Sequence, residues 1–494
     1  MKINLEQLPN NVKIVVRDQH NTELCRYVFQ HKKAFNKIGR DLIKTTLISW
    51  ATLDFCKSDY IEINIDLFDF EKEYIISNYE FCVQTYCKIY DFQPAKLVFN
   101  NKITKKQFDI QKQENSYFLG YTCGKDSTLS KFLLEHENEK INYYKVSYDD
   151  DNPAEDGHIF CEIKNEKYFE FTITGLKEQS DIVSCQQADD IHVTFASPYV
   201  YKRDIYSKYL AVGIPWDAIH TFESGIPDLV PTESYKSICI FEKLIKNYGY
   251  DEFKMISPIA TLHTYGVYST LEKIIGIEKL EKLDSCWESY VYKGQACGYC
   301  PKCQRLKNVF RKCFRRDYLS NVPTLNITSS DFLFGSFYAN KILSKLTTEE
   351  LKGALLVDDE SISFSGKFYN TLLEMKKKII NMNKLEYENE TQGWKEIMDD
   401  IIFRIGIDYS RLSDDAINEN EVPFLPFENY YKWNRKNKVL NCYNRVEMKK
   451  DDGDIIVQKG IENSEDKILE LPSNELFEHF FDSVNLQQVY IKGE

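Results

Sequence analysis

Apolar and polar positions alternate most strictly at Ile61, Ile63, Ile65 and Leu67, separated by Glu62, Asn64 and Asp66. A period of two predicts a half-buried strand there. Upstream, Leu42, Ile43, Leu47 and Trp50 recur at helical spacing and predict a helix over 41–56. Val12 to Val16 and Leu97 to Phe99 read as further strands. Residues 1–113 are therefore expected to form a separate α+β domain, with no residues at catalytic spacing.

Over 114–318 short aromatic or β-branched runs alternate with helical patterns. The strand candidates are Tyr117–Tyr121, Ile141–Val146, Phe169–Ile173, Ala218–Phe222 and a short Met255–Ile256, while Leu210 and Ala211 lie in an expected helix. That rhythm predicts βαβ units and a parallel sheet, so the fold class is α/β. Residues 319–494 read as a mainly helical region, with one amphipathic stretch over 361–384 and a possible strand at Asp454–Val457.

The 494 residues are too many for one ordinary core, which supports several domains. The formal charge of −13 argues against a broad nucleic-acid grip, which needs clustered cations. No run of 18 apolar residues occurs, and the opening MKINLEQLPNN lacks the apolar stretch of a secretory leader. A cytoplasmic chain without membrane contact is expected, with its 14 cysteines mostly reduced. The aromatic share of 14% fits either packed cores or base-stacking pockets.

The sharpest motif is Gly120-Tyr121-Thr122-Cys123-Gly124-Lys125-Asp126-Ser127. An apolar strand leads into it and a helix with Leu129, Phe132 and Leu133 on one face follows. A glycine turn feeding a helix N-terminus makes an anion site, because unpaired backbone N–H groups and the helix dipole point outward. Gly124 admits close approach, Lys125 supplies charge, and the hydroxyls of Thr122 and Ser127 add donors. The Walker A spacing is absent. A plain helix cap at Asp126-Ser127 is the bland alternative.

Cys286 is followed by Cys297, Cys300 and Cys303, the last three in the turn Cys-Gly-Tyr-Cys-Pro-Lys-Cys. Four thiolates at this spacing suit tetrahedral, structural Zn²⁺. An iron–sulfur cluster and free thiols are the alternatives. The basic run from Lys302 to Arg316 can offset the charge of such a site or contact a polyanion.

The loop resembles the Ser-Gly-Gly-Lys-Asp-Ser signature of PP-loop ATP pyrophosphatases, whose sheet is of the adenine nucleotide alpha hydrolase type. Thr122 stands for the first Ser and Cys123 for a Gly. With the cysteine cluster from Cys286 to Cys303 far downstream of it, the segment 115–317 resembles the 7-cyano-7-deazaguanine synthase (QueC-like) family. Ser197-Pro198-Tyr199 through Arg203-Asp204 is similar to the family's Pro…Gly-Arg-Asn segment. Ser257-Pro258-Ile259 is similar to its Thr-Pro-Leu, although the lysine usual shortly afterwards is replaced by His263-Thr264-Tyr265. The arrangement of the segment 1–113 resembles enlarged members found in anti-phage defence operons.

The resemblance implies an adenylating enzyme that uses ATP and Mg²⁺. It implies phosphate binding by residues 122–127 and catalytic roles for Lys125, Asp126 and Arg203. Asp126 would help hold Mg²⁺, and Arg203 would take a carboxylate or phosphate; a surface ion pair is the alternative for Arg203. It implies recognition of a deazapurine by Glu223, Asp228 and Glu233, with 7-carboxy-7-deazaguanine as substrate and an amide or nitrile as product. A protein amine is one acceptor that it suggests. Other PP-loop chemistry, such as tRNA thiolation with Cys123 as sulfur carrier, and a non-catalytic nucleotide-binding scaffold stay open beside it.

Overall fold

The computed structural model describes residues 1–90, 92–122, 124–149, 167–175, 191–201, 203–219, 231–262, 264–283, 310 and 359–382, and five strands between 431 and 471. The chain opens with an antiparallel pair, β1 (Lys2–Leu8) and β2 (Asn11–Arg17), and β3 (Glu23–Gln30) adds antiparallel to β2. Helix α1 (Lys37–Asp54) starts at Asn36, whose side chain accepts the N–H of Gly39 at 2.7 Å. β4 (Tyr60–Ile63) then runs parallel to β1, and β6 (Lys96–Phe99) runs parallel to β4 after the crossing of α2 (Asp69–Tyr90).

The alternating segment divides in two. β4 ends at Ile63, and Leu67–Phe68 (β5) pairs instead with Ile103–Thr104 (β7). Side chains take the N–H groups that a longer ladder would use: Asp66 accepts from Lys102 N–H at 3.2 Å and Glu71 from Phe68 N–H at 2.7 Å. Period alone does not register such local competition.

Five strands of the second region are mutually parallel: β8 (Gln113–Gly120), β9 (Ile141–Asp149), β10 (Lys167–Thr174), β11 (Tyr206–Ala211) and β12 (Lys254–Ile256). The segment expected to be helical at Leu210–Ala211 is thus the strand β11. It lies between β8 and β12 with Tyr206, Leu210 and Ala211 buried. A short apolar run covered on both faces has no polar alternation to mark it as a strand. Conversely, Ala218 and Ile219, expected in a strand, belong to the helical turn α5 (Trp216–Ile219), with Pro215 C=O accepting from both at 3.1 and 3.2 Å. Residues 220–222 lie outside the described residues.

β10 pairs antiparallel with β3, so ten strands form one sheet in the order β12-β11-β8-β9-β10-β3-β2-β1-β4-β6. One apolar core runs through both halves: Phe29 stacks on Phe169, and Trp50 lies 4.8 Å from Phe171. The separate N-terminal module expected from sequence is therefore corrected. Pairing with β10 covers the edge that β3 would otherwise leave open.

A second tie crosses the same junction. Glu71, with no exposed surface, accepts from Lys44 Nζ at 3.1 Å, Thr45 Oγ1 at 3.0 Å, Phe68 N–H and the Tyr248 hydroxyl. Burial raises its carboxyl pKa, and the Lys44 charge opposes that rise. Tyr248 follows α6 (Tyr235–Asn247), which packs on α2.

The two sheet faces carry different helices. Phe118 meets Tyr199 on the face covered by α1, α2 and α6. Its neighbour Tyr117 stacks on Tyr209 and meets Phe368 on the other face, as successive strand residues must. That second face carries α3 (Lys125–His136) and α7 (Thr264–Ile275).

It also carries α9 (Asp359–Ser365) and α10 (Phe368–Met382), reached after α8 (Ile277–Leu280); Thr371 of α10 donates to Glu137 beside α3 at 2.8 Å. The single amphipathic stretch expected over 361–384 is broken at Gly366, whose φ of +58° lies in the left-handed region. Further on, β13 (Tyr431–Asn434), β14 (Val439–Cys442), β15 (Val446–Asp451), β16 (Asp454–Lys459) and β17 (Ile468–Leu471) make an antiparallel meander. The C-terminal region is thus not mainly helical among the described residues; its short strands escaped a search for helical period, apart from β16. No helix among the described residues is long and apolar enough to cross a membrane.

Candidate functional site

Taken in chain order, the parallel strands β8 to β12 lie 3-2-1-4-5 across the sheet, a doubly wound arrangement. The order reverses between β8 and β11. Open α/β sheets leave a crevice at such a reversal, outside the carboxyl ends of the strands. The glycine turn after β8 opens into it. The loop after β11 closes against the turn: a Cβ on Gly213 would stand 2.8 Å from the Asp126 carbonyl carbon and 2.9 Å from Ser127 N. Only glycine lets these two backbones touch.

The loop after β12 holds that contact in place. Ser257 is fully buried; its hydroxyl donates to Ile214 C=O at 2.6 Å and accepts Ile214 N–H at 3.2 Å. The Ser257-Pro258-Ile259 motif therefore braces the loop of Gly213, which in turn braces the N-terminus of α3. Composition and spacing gave no sign of Gly213; only its position directly after a strand, in Val212-Gly213-Ile214, could have pointed to it.

Gly124 is the N-cap of α3, in extended conformation and with no side-chain cap. The helix start is thus not the plain Asp or Ser cap that the sequence also allows. Ser127 folds the turn from inside: its hydroxyl donates to Gly124 C=O at 3.2 Å and lies 3.5 Å from the Thr122 hydroxyl. Gly120 keeps the opposite wall clear, since a Cβ there would come within 3.2 Å of the Tyr144 hydroxyl.

Lys125 is buried, at 6% exposure. Its ammonium pairs with the Asp126 carboxylate and stands 5.6 Å above the ring of Tyr268 in α7. The packing of α7 on α3 accounts for that burial. The other carboxylate oxygen of Asp126, Oδ1, is buried and has no hydrogen-bond partner among the described residues. A buried oxygen of that kind fits a cation.

Arg203 stands on the other face. Its guanidinium lies 4.7 Å over the ring of Phe118, just before Gly120 in β8, among Tyr199, Tyr201, Tyr206 and Tyr250. Burial lowers its pKa, partly offset by those phenols. Among the described residues no carboxylate pairs with it. Its backbone N–H donates to the Tyr206 hydroxyl at 3.2 Å. The structure thus brings together Thr122, Gly124, Lys125, Asp126 and Ser127, and sets Arg203 beneath the strand that feeds them.

Glu233 ends a short 3-10 turn, Pro231–Glu233, next to Ser234, the N-cap of α6. Glu223 and Asp228, loop residue Cys123, and the candidate metal ligands Cys286, Cys297, Cys300 and Cys303 lie outside the described residues, as does the basic run from Lys302. Cys25, Cys56 and Cys82 are ordinary buried thiols. Compared with known proteins, the chain matches no family model, and no curated protein matches it significantly.

Proposed function

We propose that the chain is an ATP-dependent adenylating enzyme that activates a carboxylate for transfer to an amine. The reading rests on one observation: a helix N-terminus with glycine as its N-cap, and with Lys125 and Asp126 in its first turn, stands at the reversal of strand order. Polyphosphate suits that position, because a helix N-terminus, its dipole and one lysine all favour negative charge. In this reading the phosphate competes with Asp126 for Lys125. The carboxylate so released, with its buried Oδ1, would hold Mg²⁺. That ion neutralises charge on phosphate oxygens.

The reaction proceeds in two displacements. A carboxylate oxygen attacks the α-phosphorus of ATP, the bond to the β-phosphate oxygen breaks, and pyrophosphate leaves from the loop. An amine then attacks the acyl carbon, AMP departs with the electron pair, and the amine proton goes to solvent. Lys125 and the N–H groups of α3 stabilise the leaving pyrophosphate.

The sequence resemblance makes 7-carboxy-7-deazaguanine the proposed acid, and a four-thiolate zinc at Cys286, Cys297, Cys300 and Cys303 a proposed structural element. The test is to incubate the chain with ATP, Mg²⁺ and that acid and to follow AMP and acyl products by mass spectrometry. AMP formation that depends on the acid is expected. AMP formation indifferent to it, with no adenylate, amide or nitrile, removes the deazaguanine substrate.

A further inference from the structure

The ten-stranded sheet ends in two edge strands, β12 and β6, and the fold treats them differently. At β12 the outward N–H groups are taken up. Met255 N–H donates to Glu242 Oε1 of α6 at 2.6 Å, and Ser257 N–H donates to Phe364 C=O of α9 at 2.9 Å. At β6, Lys96 and Asn100 N–H point towards β4 and donate to Asp59 and Ile63 C=O, both at 3.2 Å. Alternate residues of a strand direct their peptide groups to the same side, so the N–H and C=O of Leu97 and Phe99 point away from β4. No group among the described residues takes them up, and the chain after β6 pairs with β5 instead. A row of unpaired main-chain groups is a template for another strand.

The side chains choose the partner. Leu97, Val98 and Phe99 are consecutive, apolar and half-buried, and no bulge interrupts their pairing with β4. Lys72 Nζ of α2 lies 4.9 Å above the Phe99 ring, which puts Phe99 and Leu97 on the α2 side and Lys96 and Val98 on the other. From Gln93 to Phe108 the sequence holds Lys96, Lys102, Lys105 and Lys106 and no acid, in a chain of net charge −13. Lys72, Lys96 and Lys102 form no ion pair among the described residues. Against them stand Asp59, Asp66 and Glu73, the last two already engaged by Lys102 N–H and by Lys243. Two copies of this edge would set lysine against lysine, whereas an acidic strand meets opposite charge along its length.

We infer that the open edge of β6 takes up an extended acidic peptide segment of a partner protein as an added strand. The segment's main chain pairs with Leu97 and Phe99, and its carboxylates face Lys72, Lys96 and Lys102. The inference does not use the adenylation reading: neither ATP nor the glycine turn enters it or its test.

The probe is the peptide Val-Glu-Val-Glu-Val-Glu, capped at both ends, labelled with a fluorophore and titrated into the full chain by anisotropy. Its fully N-methylated form, the peptide Val-Lys-Val-Lys-Val-Lys and single-stranded oligothymidine are the comparisons. The acidic peptide binds, and each comparison binds about tenfold more weakly or worse, because it lacks either the main-chain donors or the charge. Amide hydrogen exchange at Leu97 and Phe99 slows on binding, since their N–H groups gain acceptors; adsorption by charge alone does not protect them. Lys96→Glu with Lys102→Glu, both at exposed positions, exchanges the preference for that of the basic peptide. Phe99→Pro removes one outward N–H, leaves the ladder to β4 in place and weakens binding severalfold; the charge variant decides should it fail to fold. Absence of binding, equal binding of the N-methylated peptide, unchanged exchange at Leu97 and Phe99, or an unaltered preference in the charge variant overturns the proposal. So does tighter binding of oligothymidine, which makes the patch a nucleic-acid site. A dimer of the chain that Phe99→Pro dissolves overturns it too, because the occupant is then a second copy.

Discussion

His192 shows how far a single residue depends on its surroundings. It is wholly buried in α4 (His192–Ala196), shares a 2.6 Å hydrogen bond between Nδ1 and the Tyr74 hydroxyl, and has a pKa lowered to about 3 by burial. Its imidazole is therefore neutral in the folded protein at pH values where the unfolded chain already binds a proton. The folded pKa is below the unfolded one, so stability falls as pH drops from about 6.5 towards 3. Between pH 7.5 and 5.0 this one group removes about 2 kcal/mol. Urea unfolding at both pH values measures it: His192→Gln should lose less stability than the wild type by that amount, and parallel losses would show that His192 is not held neutral. Nothing in the sequence around His192 indicated this burial. Lys125, in contrast, was legible as a functional residue from its neighbours in the chain, while its burial under Tyr268 was not, because α7 comes far later in the chain, after β12.

At the scale of elements, the site is a stack of three loops at the carboxyl ends of β8, β11 and β12. Gly213→Ala tests whether the middle loop matters. The added methyl meets backbone, at 2.8 Å from Asp126 C, and backbone cannot swing aside as a side-chain tip can. The expected cost is about 1–3 kcal/mol of stability, with a roughly tenfold to hundredfold loss of pyrophosphate release as the α3 N-terminus shifts. Wild-type turnover in Gly213→Ala would separate this contact from the chemistry. The elements legible in the sequence were those with a local signal of their own: β2, β6, β8, β9 and β10, the short β12 and β16, the helix α1, and the turn before α3. β11 and α5 exchanged identities because a short, largely apolar run suits either form until neighbouring strands decide. Gly366 was readable as a breaker but was overridden by the amphipathic period on both sides of it.

For the whole molecule, the segment 1–113 and the parallel sheet are one packing unit. Asn36 N–H donates to Val200 C=O at 2.8 Å, its side-chain amide donates to Tyr199 C=O at 3.0 Å, and Gly39 lets α1 touch the Val200 backbone. The segment that carries Tyr199 and Arg203 is thus clamped from the N-terminal side. A fragment beginning at residue 114 should be insoluble or melt without cooperativity, since it bares the edge of β10 and the face under α1 and α2. A soluble fragment with a sharp thermal transition would contradict this. Such long-range joining was not legible, because β3 and β10 are far apart in the chain and neither strand names its partner. The central claim is that the glycine turn holds the phosphates of an ATP cleaved between its α- and β-phosphates. The direct measurement is the fate of label from γ-labelled ATP in wild type and Lys125→Ala, each checked for an unchanged fold by circular dichroism. Label should leave the wild type as pyrophosphate, and Lys125→Ala should slow that release by about a hundredfold or more. Label leaving as orthophosphate, or equal pyrophosphate release from both proteins, would contradict it.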